Sequence, residues 1–219
     1  KNKHSIRSFR RRIKVMDMME IINLKAIPIA CERNVYSLNK KELNVIKKIK
    51  YKPPKEGLYV SETISLLENK MLISLKKFII KKAEEYTRTV LEINNKIYLT
   101  QSWSTLNPTN VLHFPHDHPN TFISLVYYVQ CENGYIYFDL ITSSLKECFN
   151  FHYTINKFNI YNSERWDLPV KTGDIVLFPG NIRHGALPNT SNKPRIVIGA
   201  NFFIKGTLGS KKDISLITI

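Results

Sequence analysis

Three histidines stand at spacings that suit a metal site. His116 and His118 are separated by one residue, and His184 follows far downstream. In a β-strand, residues i and i+2 point to the same face, so His116 and His118 are predicted to bind one ion from one side, while a later strand brings in His184. Imidazole suits iron, zinc, copper or nickel better than calcium or magnesium. The sequence therefore predicts a mononuclear metal site with positions open for substrate, oxygen or water.

The other histidines are His4, His113 and His152. We assign them to loops without a function, because a chain with six histidines will carry some by chance. A single His-x-His pair is weak evidence for a metal. The distal histidine and the arginine that follows it make the prediction much stronger.

Arg195 opens a β-rich run to Ile204 shortly after His184. Strand alternation places Arg195 on one face with Val197 and Gly199. An arginine on the inward face of a barrel would be a buried, unpaired charge unless it met an anion. Its planar guanidinium matches a carboxylate with two parallel hydrogen bonds. The pattern therefore predicts a carboxylate-binding arginine.

Tyr128 is placed on the same strand as the histidine pair and could donate a phenol hydrogen bond to that carboxylate. The alternative is that Arg195 pairs with a protein acid, such as Asp139 or Asp174, and that Tyr128 is an ordinary core residue. The residues alone leave both interpretations open.

The elements around these residues change from helical to extended along the chain. Residues 39–42 form a capping-box pattern that predicts a first helix, and apolar residues at spacings of three and four predict a second over 65–92. Residues 20–36 are typical of an initial strand. Alternation then predicts strands at 97–103, 122–130, 135–140, 166–170, 174–179 and 194–204. Segment 141–165 fits either a strand or an irregular insert.

These elements predict a mainly β fold with flanking helices, in which a helical first part packs on an antiparallel barrel or jelly roll. We expect 1–19 to be a basic leader or tail, 20–95 a helical flank and 96–219 the β core. Of the 219 residues, 43% are hydrophobic and 23% are charged, which suits a globular core. No stretch is long and apolar enough to span a bilayer. The three scattered cysteines are interpreted as reduced, in a cytoplasmic setting.

The net charge of +15 raises the question of a nucleic-acid partner. Residues 1–15 contribute seven basic side chains and no acid, and many other lysines fall on predicted helix faces that water would solvate. No recognisable nucleic-acid motif interleaves aromatic and basic residues. Nucleic acid is therefore not favoured as a partner, and the oligomeric state cannot be read from the sequence.

The motifs, and their order along the chain, resemble those of the Fe(II)/2-oxoglutarate-dependent oxygenases, in the prolyl-hydroxylase-like branch. Within it, the chain resembles a group of uncharacterised oxygenases found in phages and marine bacteria. The resemblance covers about residues 20–204. The matching motifs are Ser102-Trp103, His116-Asp117-His118-Pro119, Val126-Tyr127-Tyr128, Gly173-Asp174-Ile175-Val176-Leu177-Phe178-Pro179, Arg183-His184, Pro188-Asn189 and the strand from Arg195 to Phe203.

The resemblance implies a double-stranded β-helix of the jelly-roll, cupin-like type and a dioxygenase that uses Fe(II) and 2-oxoglutarate. His116 matches the first metal ligand of the family and His184 the distal one. Arg195 matches the residue that binds the distal carboxylate of 2-oxoglutarate, and Tyr128 matches a tyrosine that assists it. The implied reaction releases succinate and CO2 and ends in hydroxylation of a small-molecule or peptide substrate.

Position 118 departs from the family pattern, in which a carboxylate stands there. His118 removes one negative charge from the metal site, which affects the choice of metal and oxygen activation. Asp117 would point to the opposite face of a regular strand, so it could reach the metal only if the backbone were irregular, or it could orient an imidazole. We expect an all-histidine site of His116, His118 and His184.

Two alternatives to the oxygenase remain open at this point. One is a cupin-like metalloprotein whose histidines serve other chemistry. The other is a non-catalytic binding protein that keeps the fold. The loops at 104–114 and 141–165 are expected to line the site and select the substrate, whose identity the sequence does not indicate.

Overall fold

The computed structural model describes residues 26–140 and 154–219, and two antiparallel sheets dominate this part of the chain. The strands are numbered in chain order. The larger sheet has the order β1 (Ala30–Glu32), β8 (Ile175–Pro179), β5 (Ile123–Gln130), β10 (Arg195–Lys205), β3 (Lys96–Asn107) and β2 (Tyr59–Val60). The smaller sheet has the order β4 (His113–His116), β9 (His184–Ala186), β6 (Gly134–Asp139) and β7 (Arg165–Val170). A short hairpin of β11 (Thr207–Leu208) and β12 (Ile217–Thr218) follows.

The helices lie where the sequence predicts them. Helix α1 (Lys40–Lys47) starts at Asn39, whose side chain accepts hydrogen bonds from the first turn, and the predicted capping box with Glu42 is present. Helix α2 (Ile73–Glu85) is the regular part of the predicted second helix. Two short 3-10 turns, Leu66–Glu68 and Lys70–Leu72, precede it and a π-helical turn, Tyr86–Val90, follows it. None of the helices in the described residues could span a membrane.

The two faces of the larger sheet pack against different partners. One face meets α2 and the turn before it, where Leu72, Leu75, Ile79 and Ala83 are fully buried against sheet residues such as Leu125. The opposite face meets the smaller sheet, through a second cluster of buried residues that contains Tyr128, Ile136, Phe138, Val176 and Phe178. Alternation along each strand separates the two sets. The second interface is where a cavity opens between the sheets.

The strands predicted at 122–130, 135–140, 166–170, 174–179 and 194–204 are confirmed, with ends that shift by one residue. Strand β3 runs on to Asn107, beyond the predicted end at 103. Of the initial strand predicted over 20–36, the described residues contain only Ala30–Glu32. The short strands β2, β4, β9, β11 and β12 were not predicted, because two to four residues carry too little alternation. Residues 154–164 form no strand, and 141–153, with Cys148 and His152, lie outside the described residues, as do His4 and the expected leader.

A buried carboxylate ties the two helices together. Glu42 has no exposed surface, and it accepts hydrogen bonds from the Tyr36 hydroxyl at 2.7 Å, the Asn39 N–H at 2.9 Å and the Leu75 N–H at 3.1 Å. Because Leu75 belongs to α2, this side chain joins α1 to the helix that covers the sheet.

Replacing Glu42 by Ala should lower the free energy of unfolding by about 3 kcal/mol, because it leaves buried donors without partners. Urea denaturation followed by circular dichroism measures this change. The exposed Glu62→Ala is the control and should change stability little. Equal unfolding midpoints for the two variants would contradict the assigned role.

Candidate metal centre

Two of the predicted ligands meet by direct strand pairing. His116 ends β4 and His184 begins β9, and the antiparallel register places them opposite each other. Directly paired residues bring their side chains close on one face of the sheet. Their ring centroids are 4.5 Å apart. The prediction that a later strand brings His184 to His116 is confirmed.

His118 reaches the same point by another route. It lies two residues beyond the end of β4, outside any strand, so the same-face strand argument is wrong for this residue. Its backbone N–H donates to the carbonyl of Gly180, the residue just after β8, at 3.0 Å. This bond anchors the loop that carries His118. The His118 ring is then 5.0 Å from that of His116 and 5.1 Å from that of His184, centroid to centroid.

The three imidazoles form a group that could hold a metal ion. Their ligand atoms all lie within 4.8 Å of one another. Bonds of about 2.1 Å to one ion place facial nitrogens roughly 3 Å apart, so small side-chain rotations bring them onto a shared ion. Asp117 is exposed and is not a member of this group. In the described part of the chain, the candidate centre is therefore made of histidine alone.

Backbone carbonyls fix how two of these rings present their nitrogens. Nδ1 of His116 lies 2.9 Å from the Phe114 carbonyl oxygen, and Nδ1 of His184 lies 2.8 Å from that of Ile182. A carbonyl oxygen can only accept, so each Nδ1 carries the proton and donates it. Nε2 of each ring is left with its lone pair, which is the form that binds a metal.

Burial keeps the rings of His118 and His184 neutral. It lowers the pKa of His184 to about 3 and that of His118 to about 4, and the neighbouring His116 lowers both further. For His118, the nearby Asp117 acts weakly in the other direction. At neutral pH both rings are therefore deprotonated, as metal binding requires.

A fourth histidine, His113, lines the same cavity, and its assignment to a loop is wrong because it lies in β4. His113 starts β4 and its ring stacks on that of His116, with centroids 4.4 Å apart and an angle of 27° between the planes. Burial lowers its pKa to about 3, with further effects from His116 and Arg195. The register shift between His113 and His116 brings both rings to the cavity, and no simple sequence spacing shows such a shift.

Arg195 lies at the start of β10, with 2% of its surface exposed. Its Nη1 and Nη2 atoms are buried and have no hydrogen-bond partner among the described residues. Burial lowers the pKa of the guanidinium, while Tyr128 and Cys131 act against this effect. The alternative in which Arg195 pairs with a protein acid is therefore wrong.

The two acids considered as partners are engaged elsewhere. Asp174 forms an ion pair with Arg33 at 2.6 Å, and it also accepts from the backbone N–H of Asn34 and of Lys171. Asp139 lies 3.5 Å from the guanidinium of Arg183. Both carboxylates thus have cationic partners of their own.

Two further residues, which the sequence did not single out, accompany Arg195. Thr105 and Asn107 on β3 are each 2% exposed, and the Thr105 hydroxyl and the Asn107 side-chain N–H2 are buried without a partner. Asn107 pairs directly with Arg195 across the sheet. Thr105 and Asn107 follow Trp103 at intervals of two residues, so strand alternation places all three on one face. A predicted strand that continued to Asn107, the observed end of β3, would have indicated them.

One cavity, partly open to solvent, contains all of these groups. Its lining includes His113, His116, His118, His184, Arg195, Tyr128, Thr105, Asn107 and Trp103. Tyr128 is on β5, not on the strand that carries His116, and burial raises the pKa of its phenol. The cavity thus has four imidazoles, a guanidinium and several unpaired polar atoms on its walls.

Trp103 forms part of the wall next to the histidines. Its ring centroid is 5.4 Å from that of His118, and on the other side it lies against Gly199. A Cβ atom at position 199 would come within 2.6 Å of the indole ring. The glycine therefore gives the tryptophan its place between β10 and the candidate ligand.

Comparison with known proteins finds a family model that matches the central segment. Residues 101–201 match the model of a family described as "Putative 2OG-Fe(II) oxygenase". This segment contains all three candidate metal ligands and Arg195. No curated protein matches the chain in sequence.

Several solved structures share the fold at low sequence identity. HygX from Streptomyces hygroscopicus, solved with nickel, 2-oxoglutarate and hygromycin B, has a TM-score of 0.55 and 10% identity over 80% of this chain and 82% of its own. The epimerase SnoN from nogalamycin biosynthesis has a TM-score of 0.56 and 14% identity over 81% and 76%. A prolyl hydroxylase from Trichoplax adhaerens, solved with a peptide, has a TM-score of 0.52 and 11% identity over 80% and 83%.

The shared fold confirms the predicted double-stranded β-helix. The match over residues 101–201 confirms the predicted resemblance of this segment to the Fe(II)/2-oxoglutarate-dependent oxygenases. The group of three histidines agrees with the predicted metal cofactor of that family.

The buried histidines predict an acid-sensitive fold in the metal-free protein. Histidines of the unfolded chain take up a proton near pH 6.5, whereas folded His184 stays neutral until about pH 3. Stability is thus fully present above pH 6.5 and falls as the pH is lowered toward 3. Lowering the pH from 7 to 5 should cost about 2 kcal/mol through His184 alone.

Urea denaturation of the metal-free protein at the two pH values measures this loss. His184→Phe keeps an aromatic ring and removes the titrating group. Between pH 7 and pH 5, the free energy of unfolding of this variant should therefore fall by about 2 kcal/mol less than that of the natural chain. Equal pH sensitivity of the variant and the natural chain would contradict the assignment.

Proposed function

We propose, on the premise of this family relationship, that His116, His118 and His184 bind Fe(II) and that Arg195 binds the distal carboxylate of 2-oxoglutarate. The chain would then catalyse a hydroxylase-type oxidation of a small-molecule or peptide substrate. The observation that carries the proposal is the pairing, in one cavity, of three metal-competent imidazoles with a buried guanidinium whose Nη1 and Nη2 lack protein partners.

The guanidinium end of the cavity fits a carboxylate. A buried arginine without an anion is strongly unfavourable, and a carboxylate satisfies two of its N–H groups at once. Thr105 and Asn107 supply two further donors whose atoms have no partner among the described residues. Tyr128 is buried beside them and its phenol stays protonated, so it can donate as well. A carboxylate bound at this position would offer acceptor oxygens to these donors.

The histidine end fits a divalent transition metal. The bound ion, with 2-oxoglutarate and O2, supplies an oxidation in which the cosubstrate is converted to succinate and CO2 and one oxygen atom enters the substrate. Within this chain, Phe114 and Ile182 hold two imidazoles in the tautomer that exposes Nε2. Val126, Ile136 and Val197 line the same cavity with apolar surface, which limits the access of water.

His118 changes the charge of the proposed centre. A neutral imidazole replaces the carboxylate that is usual in the facial set, so a bound ion keeps one more unit of positive charge. Because Asp117 is exposed and outside the group, its carboxylate does not take the vacant role. We propose that the chain binds its metal through histidine nitrogens only.

The location and the substrate are proposed more broadly. Cys31 and Cys131 are free thiols, which supports a reducing, cytoplasmic environment. HygX and the prolyl hydroxylase were solved with an antibiotic and with a peptide, respectively. We extend to this chain only the general expectation of a small molecule or a peptide.

In the direct test, Fe(II) and then 2-oxoglutarate are added to the protein without air, and the weak visible absorption band of 2-oxoglutarate bound to iron is recorded. Air is then admitted, and the succinate released is measured. We expect the band and slow succinate release even without a substrate. Metal binding without either signal would favour a cupin-like metalloprotein with other chemistry.

Arg195→Ala separates the two ends of the cavity. It should leave metal affinity nearly unchanged and weaken 2-oxoglutarate binding by at least about 100-fold, because the distal carboxylate loses its charged partner. The control is Arg183→Ala, which removes an exposed arginine next to His184 in sequence and should leave binding of the cosubstrate intact. Unchanged 2-oxoglutarate affinity in Arg195→Ala would contradict the assigned role.

A further inference from the structure

The charges in the cavity do not balance when the proposed metal and cosubstrate are bound. No aspartate or glutamate is among the residues that line the cavity in the described part of the chain. Imidazoles bind a metal as neutral ligands, so a divalent ion and Arg195 together contribute three positive charges. The two carboxylates of 2-oxoglutarate contribute two negative charges. One positive charge is left in a cavity that is partly open to solvent.

Among the residues that the structure describes, no acid within the cavity compensates for this charge. Asp117 is adjacent to His118 in sequence, but it is exposed to water, where its effect is screened. Asp174 and Asp139 lie beside Arg33 and Arg183, respectively, so their charges are already matched. The departure at position 118 is therefore not repaired by a neighbouring carboxylate.

The wall of the cavity next to His118 offers hydrogen-bond donors. The indole N–H of Trp103 has no hydrogen-bond partner among the described residues, and the two ring nitrogens of His118 are likewise without protein partners there. When one His118 nitrogen binds the metal, the other carries a proton and can donate. Donors without matching acceptors suit an anion better than a neutral or cationic group.

We infer that this cavity binds a second anionic group in addition to 2-oxoglutarate, at the side where Trp103 faces His118. The group is either an acid function of the substrate, such as a carboxylate, or a small inorganic anion that binds with the substrate. The inference depends on the proposed function, since it takes the metal and the cosubstrate as bound.

The test uses the full chain loaded with Co(II) and 2-oxoglutarate in the absence of air, and titrates it with azide while the visible bands of cobalt are recorded. The natural chain should bind azide at least roughly tenfold more tightly than His118→Asp, which restores the missing negative charge. His118→Glu should behave like His118→Asp. Asp117→Asn is the control and should change azide affinity by less than about twofold, because the carboxylate it removes is screened by water.

Titrations with chloride and acetate distinguish the two sources of the anion. Uptake of chloride points to a free inorganic ion, and uptake of acetate without chloride points to an acid group on the substrate. Either result supports the inference. Equal azide affinity in the natural chain and in His118→Asp, or no uptake of azide, chloride or acetate, would overturn it.

Metal content and 2-oxoglutarate binding are measured on the same samples, so that the two proposals can fail separately. Loaded protein that binds the cosubstrate but no further anion contradicts only the second anionic group. Protein that takes up neither cobalt nor 2-oxoglutarate contradicts the proposed function and, with it, this inference.

Discussion

The burial of one charged side chain constrains the whole site. Arg195 is 2% exposed, and its Nη1 and Nη2 have no partner among the described residues. Leaving a charge in this state costs several kcal/mol, a large share of the stability of a typical domain. A fold that keeps such a residue must recover the cost when an anion binds. The same cavity is lined by the three imidazoles of the candidate metal group, so the geometry selects an anion that can also approach a metal.

Strand pairing brings residues that are far apart in the sequence together in this site. The pairing of β4 with β9 sets His116 against His184, and the pairing of β3 with β10 sets Asn107 against Arg195. The same sheet that forms one wall of the cavity is covered on its other face by α2. Buried contacts far from the metal centre, such as those of Leu75 and Ile79, therefore help to keep the ligands in register.

The sequence predicted the parts of the site that depend on residue type and failed where the backbone departs from regular geometry. Three histidines, an arginine and a following β-rich run were enough to predict the metal group and an inward guanidinium. His118 lies in a loop and reaches the group through its bond to Gly180, which strand alternation cannot describe. His113 enters the cavity through a shift in register, and Thr105 and Asn107 lie beyond the predicted end of β3. The capping box of α1 and the apolar stripe of α2 are local patterns, and both were predicted correctly.

The most direct test of the account is a crystal structure of the protein grown with nickel and 2-oxoglutarate in the absence of air. It should show one ion bound by Nε2 of His116, Nε2 of His184 and an imidazole nitrogen of His118, with the far carboxylate of 2-oxoglutarate on the guanidinium of Arg195. An ion ligated by Asp117, an ion elsewhere on the chain, or a cosubstrate that does not touch Arg195 would contradict it.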